Sequence, residues 1–220
     1  MGLRPRRKTQ VPTMRVGRRG RLVPSRRRIA WRIRNTRDSA LAHRYLDGLR
    51  GVEIGGAAHN AFNLDTVNVD RTGSMDTVYK REELELTGKA MAVDVVARGD
   101  ELPFSDGDFD FVLASHVIEH MPDPVKALNE WTRVARLYVY AVVPHRDRTF
   151  DRDRPLTPVD ELLERHAAGF DSSEDRHWSV WTAESFVELC ERVGLAIVEV
   201  QDPDDKQGNG FAVVIRTSPA

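Results

Sequence analysis

Residues 51–70 read GVEIGGAAHNAFNLDTVNVD, and the order of apolar, glycine and acidic positions within them decides the fold. A short apolar strand runs into the paired glycines Gly55 and Gly56, and a second, alternating strand ends on Asp70. Glycines let backbone approach a ligand with no Cβ in the way, and a carboxylate at the next strand's tip is placed to accept ribose hydroxyls. The combination predicts a site for an adenosine-containing cofactor at the carboxyl ends of parallel strands.

From residue 51 onward, short apolar runs alternate with amphipathic segments, the pattern a parallel sheet covered by helices requires. Strands are predicted near 51–54, 66–70, 92–96, 110–114, 137–143, 195–200 and 211–216. The last two flank DPDDKQGNG, a turn-rich link that suits a hairpin, so the last strand is expected to run antiparallel at the sheet's edge. Pro124 to Val134 places Val125, Leu128 and Trp131 on one helical face. Thr182 caps a helix carrying Phe186, Leu189, Cys190 and Val193 that Gly194 ends. A third helix starts at Thr157, Pro158 and Asp160 and runs through His166. The surrounding stretch, 144–181, is the longest that the core does not require, and its place above the strand ends suits a substrate lid.

At 220 residues with 40% apolar content, the chain is expected to hold one domain, 50–220, plus appendages. Residues 1–50 hold 16 Arg or Lys against Asp38 and Asp47, a net +14, so the remainder carries −15 within a chain of net −1. Residues 1–23 read as a basic, disordered arm and 24–49 as a helical extension. The arm is either a tail without a partner or a polyanion contact made through residues 1–50. No apolar run has the length of a membrane span and the N-terminus lacks a secretory core, which predicts a cytoplasmic protein. Cys190, the single cysteine, falls in a helical pattern, where a core role is expected.

Downstream, LPFSDGDFDFVLASHVIEH runs from Leu102 to His120. Together with 51–70 it resembles the class I S-adenosylmethionine-dependent methyltransferases, in the type 11-like branch that modifies small molecules, over roughly residues 50–216. The resemblance implies a Rossmann-like α/β fold: a mostly parallel seven-stranded sheet with an antiparallel last strand and helices on both faces. It implies S-adenosylmethionine as cofactor, its methionine end held by Glu53 and the main chain of Ile54, Gly55, Gly56 and Ala57, and its ribose by Asp70. Adenine falls to backbone amides near Gly99 and Asp100, with Leu102 and Phe104 packing on it. Ser115 and His116 end strand four beside the sulfonium. Two departures stand out. The loop EIGGAAHN lacks the family's third glycine and puts His59 and Asn60 where a helix normally begins, and Arg98-Gly99 replaces an acid and alanine.

His116, Glu119 and His120 also spell the H-x-x-E-H pattern of inverted zinc peptidases, but the long helix that pattern needs is missing here. Similar E-x-x-E-H residues bind magnesium in the ubiquinone-biosynthesis O-methyltransferases. A nitrogen at His116 disfavours so hard a cation, so no metal is expected, with His116, Glu119 and His120 as the alternative ligand set. Transfer to a hydroxyl benefits from a base, for which His145 comes first, then His116 and Asp151. Strand four ends in ASHV, not the D/N-P-P-Y segment that grips an exocyclic base amine. O-methylation of a small polar metabolite or sugar unit is therefore the leading function. RNA- or protein-directed transfer docking through residues 1–50 is the alternative.

Overall fold

The structure, a computed structural model, describes residues 38–217. The arm of residues 1–23 and most of the proposed helical extension lie outside them. The described chain runs α1 (Ala40–Leu46), β1 (Arg50–Ile54), β2 (Asp65–Asp70), α2 (Val78–Thr87), β3 (Val95–Val96), β4 (Phe109–Ser115), α3 (Pro124–Val134), β5 (Ala135–Pro144), α4 (Val159–Ala167), α5 (Ala183–Arg192), β6 (Ala196–Gln201) and β7 (Gly210–Arg216). The strands form one seven-stranded sheet in the order β3-β2-β1-β4-β5-β7-β6. Strands β1 to β5 pair in parallel, and β7 runs antiparallel to both β5 and β6. The reversed last strand is thus present. It lies inside the sheet, however, between β5 and β6, instead of at the edge.

Both faces of the sheet are covered, which explains why its central strands are nearly continuous in apolar residues. On β4, Val112 and Ala114 join the large core under α3, α4 and α5, while Phe111 and Leu113 face the smaller core beneath α1. The β1–β2 crossover, residues 55–64, forms no helix. Phe62 plugs this face, its ring edge-on to Tyr140 at 6.0 Å. Ser39 caps α1 and also hydrogen-bonds Tyr140 Oη at 3.0 Å, tying helix to sheet.

Two elements depart from their sequence reading. Helix α4 belongs to the core, since Val159 and Leu162 are buried in the main apolar cluster, so only parts of 144–181 are free to cover a site. Helix α2 had no apolar signature because the side chains it buries are charged: Lys80 and Glu83. No helix among the described residues is long and apolar enough to cross a membrane.

Candidate active site

The carboxyl ends of β1, β2 and β4 open into a cleft of about 810 Å³. At its floor, Gly55 takes a left-handed φ of +67° and donates its N–H to Val69 O at 2.8 Å, which turns the chain sharply off β1. Gly56 is pinned by Asn68, whose Oδ1 accepts the Gly56 N–H at 3.0 Å and whose Nδ2 points to the Gly56 carbonyl at 3.4 Å. A Cβ on Gly56 would lie 2.7 Å from Asn68 Oδ1 and 2.9 Å from Glu53 Cδ. That space is open only to bare backbone.

With no helix after the glycines, a buried ion pair fixes the loop. Lys80 Nζ lies 2.8 Å from Glu83 Oε1 and donates to Met91 O, while Glu83 Oε2 accepts the N–H groups of Ala58 at 2.9 Å and Met91 at 2.7 Å. One carboxylate thus joins the glycine loop, α2 and the chain before β3. Asn60 adds a link to β4 through Nδ2 and Ser115 Oγ, 2.9 Å apart.

Glu53, Ile54, Gly55, Gly56, Ala57, Asp70, Gly99, Asp100, Ser115 and His116 all line this cleft. Burial pushes the Glu53 carboxyl up to about 7, although Thr66 Oγ1 donates to it at 3.2 Å. Asp70 uses Oδ1 to accept the Thr72 N–H, closing its own turn at 3.2 Å. The Asp100 carboxylate is taken by a two-pronged bond from Arg98 and by Lys126. His116 sits at φ +56°, a strained conformation for a non-glycine residue, and burial pushes its imidazole down to about 4.

Three expected residues are placed differently. Leu102 lies in the core, not in the cleft wall. His145 lies outside the cleft lining: its Nδ1 accepts the Asp147 N–H at 3.1 Å to cap a 3₁₀ turn, and its ring packs edge-on to Phe211. Asp151 is buried behind the cleft wall, where Arg154 pairs with it and His177 Nδ1 lies 2.5 Å from its Oδ2.

Sequence reasoning missed Asn68, Tyr79, Glu83 and His177. The cleft takes in Phe150, the 172–175 strip and His177, with Tyr79 facing them. His177 reaches the site because Trp178 N donates to Glu119 O at 2.7 Å and Arg154 holds the His177 carbonyl. No sequence pattern links positions 58 residues apart. Burial raises the Glu119 carboxyl to about 8, and burial and the neighbouring His177 lower His120. Burial also pushes the Cys190 thiol up to about 12, which removes it as a nucleophile.

Residues 52–142 match the family model of a methyltransferase domain. An uncharacterized protein of Methanocaldococcus jannaschii is 30% identical over 96 residues, 42% of each chain, and an uncharacterized methyltransferase of Mycobacterium sp. (strain JLS) is 52% identical over 42 residues, 19% of this chain and 17% of its own. The chain thus spans less than half the length of these curated relatives. Among solved structures, S-adenosylmethionine-dependent methyltransferases of Thermotoga maritima and Methanosarcina mazei share the fold. The first has TM-score 0.51 at 18% identity over 86% of this chain and 94% of its own; the second has 0.51 at 17% over 82% and 98%. The stretch from Val52 to Val142, whose strands β1 and β4 end in this cleft, is similar to a methyltransferase domain, and the two S-adenosylmethionine-dependent enzymes share its fold.

Proposed function

We propose that the protein transfers a methyl group from S-adenosylmethionine to a hydroxyl of a small polar acceptor. The observation that carries this reading is the size of the cleft and its place at the strand ends. About 810 Å³ accommodates the cofactor with room for a modest second molecule, between strand tips on one side and Phe150, Asp175 and His177 on the other. In-line displacement gains most from holding the nucleophile near the methyl carbon with water excluded. His116, which follows β4 and lines the cleft, is assigned as the group that accepts the acceptor's hydroxyl hydrogen. Tyr79 and Phe150, both exposed at the mouth, offer apolar contact to its ring or chain.

Calorimetry with S-adenosylhomocysteine, followed by a methyl-uptake screen of hydroxylated acceptors, tests this function. Shortening the chain by residues 1–37 should leave small-molecule turnover intact. Methyl uptake into RNA or protein that disappears with those residues, together with a steep salt dependence, would favour the alternative of docking through the basic arm.

For the cofactor, Asp70 is assigned to the ribose hydroxyls, with Oδ2 free for them once Oδ1 has closed the turn. Asp70→Ala is expected to weaken S-adenosylhomocysteine binding roughly tenfold to a hundredfold, the loss of one or two charge-assisted hydrogen bonds. Unchanged affinity would move the ribose elsewhere.

Glu53 is assigned to the ammonium group of the donor. Without ligand its carboxyl titrates near 7, above the ordinary 4.5, so this group's stabilising contribution is complete below 4.5 and is lost as pH rises through about 7. A cation bound beside it favours the ionised form, which reverses the trend for binding. Affinity should therefore rise roughly tenfold between pH 6 and pH 8 as the free carboxyl ionises. Titration calorimetry on Glu53→Gln should show that slope gone.

A further inference from the structure

We infer that Glu119, His120 and His177 bind a borderline divalent metal ion such as zinc or cobalt at the wall of the cleft. One ligand atom from each of these residues lies within 4.8 Å of the other two. The Nε2 atoms of His120 and His177 both stand 3.9 Å from Glu119 Oε1, and the two rings meet edge to face at 4.7 Å. Donors around a tetrahedral ion with bonds of about 2.0–2.1 Å are roughly 3.3 Å apart, so closure shortens each carboxylate–imidazole distance by about 0.6 Å and the imidazole–imidazole distance by at most about 1.5 Å.

The outer partner of His177 is arranged as a metal-ligating histidine requires, and a carboxylate also lies near His120. His177 Nδ1 faces Asp151 Oδ2 at 2.5 Å, and His120 Nδ1 faces Asp175 Oδ1 at 3.2 Å. For His177 the hydrogen-bonded carboxylate keeps the proton on Nδ1 and leaves Nε2 free for a metal, whereas the His120–Asp175 contact is an electrostatic approach without hydrogen-bond geometry. Glu119 itself is 1% exposed, and its Oε2 has no hydrogen-bond partner among the described residues. A buried carboxylate with one oxygen lacking a donor is costly to ionise, and a cation held at Oε1, the oxygen that faces both imidazoles, would offset that charge. His116 Nδ1, 3.8 Å from Glu119 Oε1, stands just outside the group.

Two imidazoles and one carboxylate suit zinc, cobalt or nickel and not magnesium or calcium. Three protein ligands leave a position open toward the cleft, where an oxygen donor of a bound molecule can enter. The metal site goes beyond the methyl-transfer reading and does not depend on it: metal binding would stand even if calorimetry showed no donor pocket.

The test uses untagged full-length chain, stripped with a chelator and dialysed against zinc or cobalt, with metal content by mass spectrometry and the visible absorption of the cobalt form. A single equivalent per chain is expected, unaffected by excess magnesium. His177→Gln and Glu119→Gln should weaken it roughly a hundredfold or more, and Asp151→Asn, which touches only the outer partner, by roughly 10–100-fold. Where His177→Gln fails to fold by circular dichroism, His120→Gln carries the same expectation. Substoichiometric metal, or affinity unmoved in His120→Gln, overturns the proposal.

Discussion

Replacing Glu83 by alanine is expected to lower stability by about 3–5 kcal/mol, the effect of stranding a buried lysine whose partner is removed. For a domain of this size that corresponds to a fall of roughly 6–20 °C in the calorimetric melting temperature. The ammonium of Lys80, only 4% exposed, would keep its bond to Met91 O but lose its counter-charge, and the N–H groups of Ala58 and Met91 would lose their acceptor. Because Ala58 follows the glycine turn directly, affinity for S-adenosylhomocysteine should fall as well. A paired replacement separates the two causes. Lys80→Met with Glu83→Leu removes both charges and should recover a large part of the stability, yet cofactor affinity should stay low because the loop N–H groups remain unpaired. A melting temperature within 2 °C of the parent in Glu83→Ala would mean, at roughly 2–4 °C per kcal/mol, that the ion pair holds nothing in place.

Gly56→Ala should abolish tight cofactor binding with a smaller loss of stability. The added Cβ would meet Asn68 Oδ1 at 2.7 Å, Glu53 Cδ at 2.9 Å and Met91 Sδ at 3.0 Å. Asn68 is held by its bonds to the Gly56 peptide and to Ala92 O, so it cannot retreat without leaving buried polar atoms unpaired. Overpacking of this kind costs about 1–3 kcal/mol in stability. Displacing the loop from the donor's methionine end should cost more than tenfold in affinity, above about 1.4 kcal/mol. Gly55→Ala makes a useful comparison, because there the nearest obstacle is the flexible Val117 Cγ2 at 3.2 Å and the penalty comes from the left-handed backbone. Calorimetry on both variants, with circular dichroism for folding, distinguishes a blocked loop from a strained one.

The strands were legible in the sequence to within a residue or two except β3, predicted over 92–96 and present only at Val95–Val96. There the side chains of Asn68 and Asp94 take backbone bonds that a regular ladder would make: Asn68 Nδ2 donates to Ala92 O, and Asp94 Oδ2 accepts the Asn68 N–H. Helix α3 was read to the residue, since its buried side recurs at helical spacing and Asp123 caps it. Helix α2 was invisible to the same reasoning because Lys80 and Glu83 fill the inward positions that apolar residues normally occupy. Its real signal was the pair of ends, Thr77 accepting the Lys80 N–H and Gly88 in the left-handed conformation.

The cofactor loop and Asp70 lie within one β-turn-β unit, so residues close in the chain are close in space and their pattern could be read directly. His145 looked like a base because it follows β5, but a strand's end names only a neighbourhood, and local capping by Nδ1 turned this imidazole to other work. What the chain determined alone was therefore whatever short-range periodicity and turn chemistry encode: the alternating strands, the bare glycine turn and the acid at the tip of β2. What only the tertiary structure decided was the meeting of Glu119, His120, Asp151 and His177. It depends on a backbone bond between Trp178 and Glu119 and on the packing of α4 into the core, contacts between distant segments that no local pattern specifies.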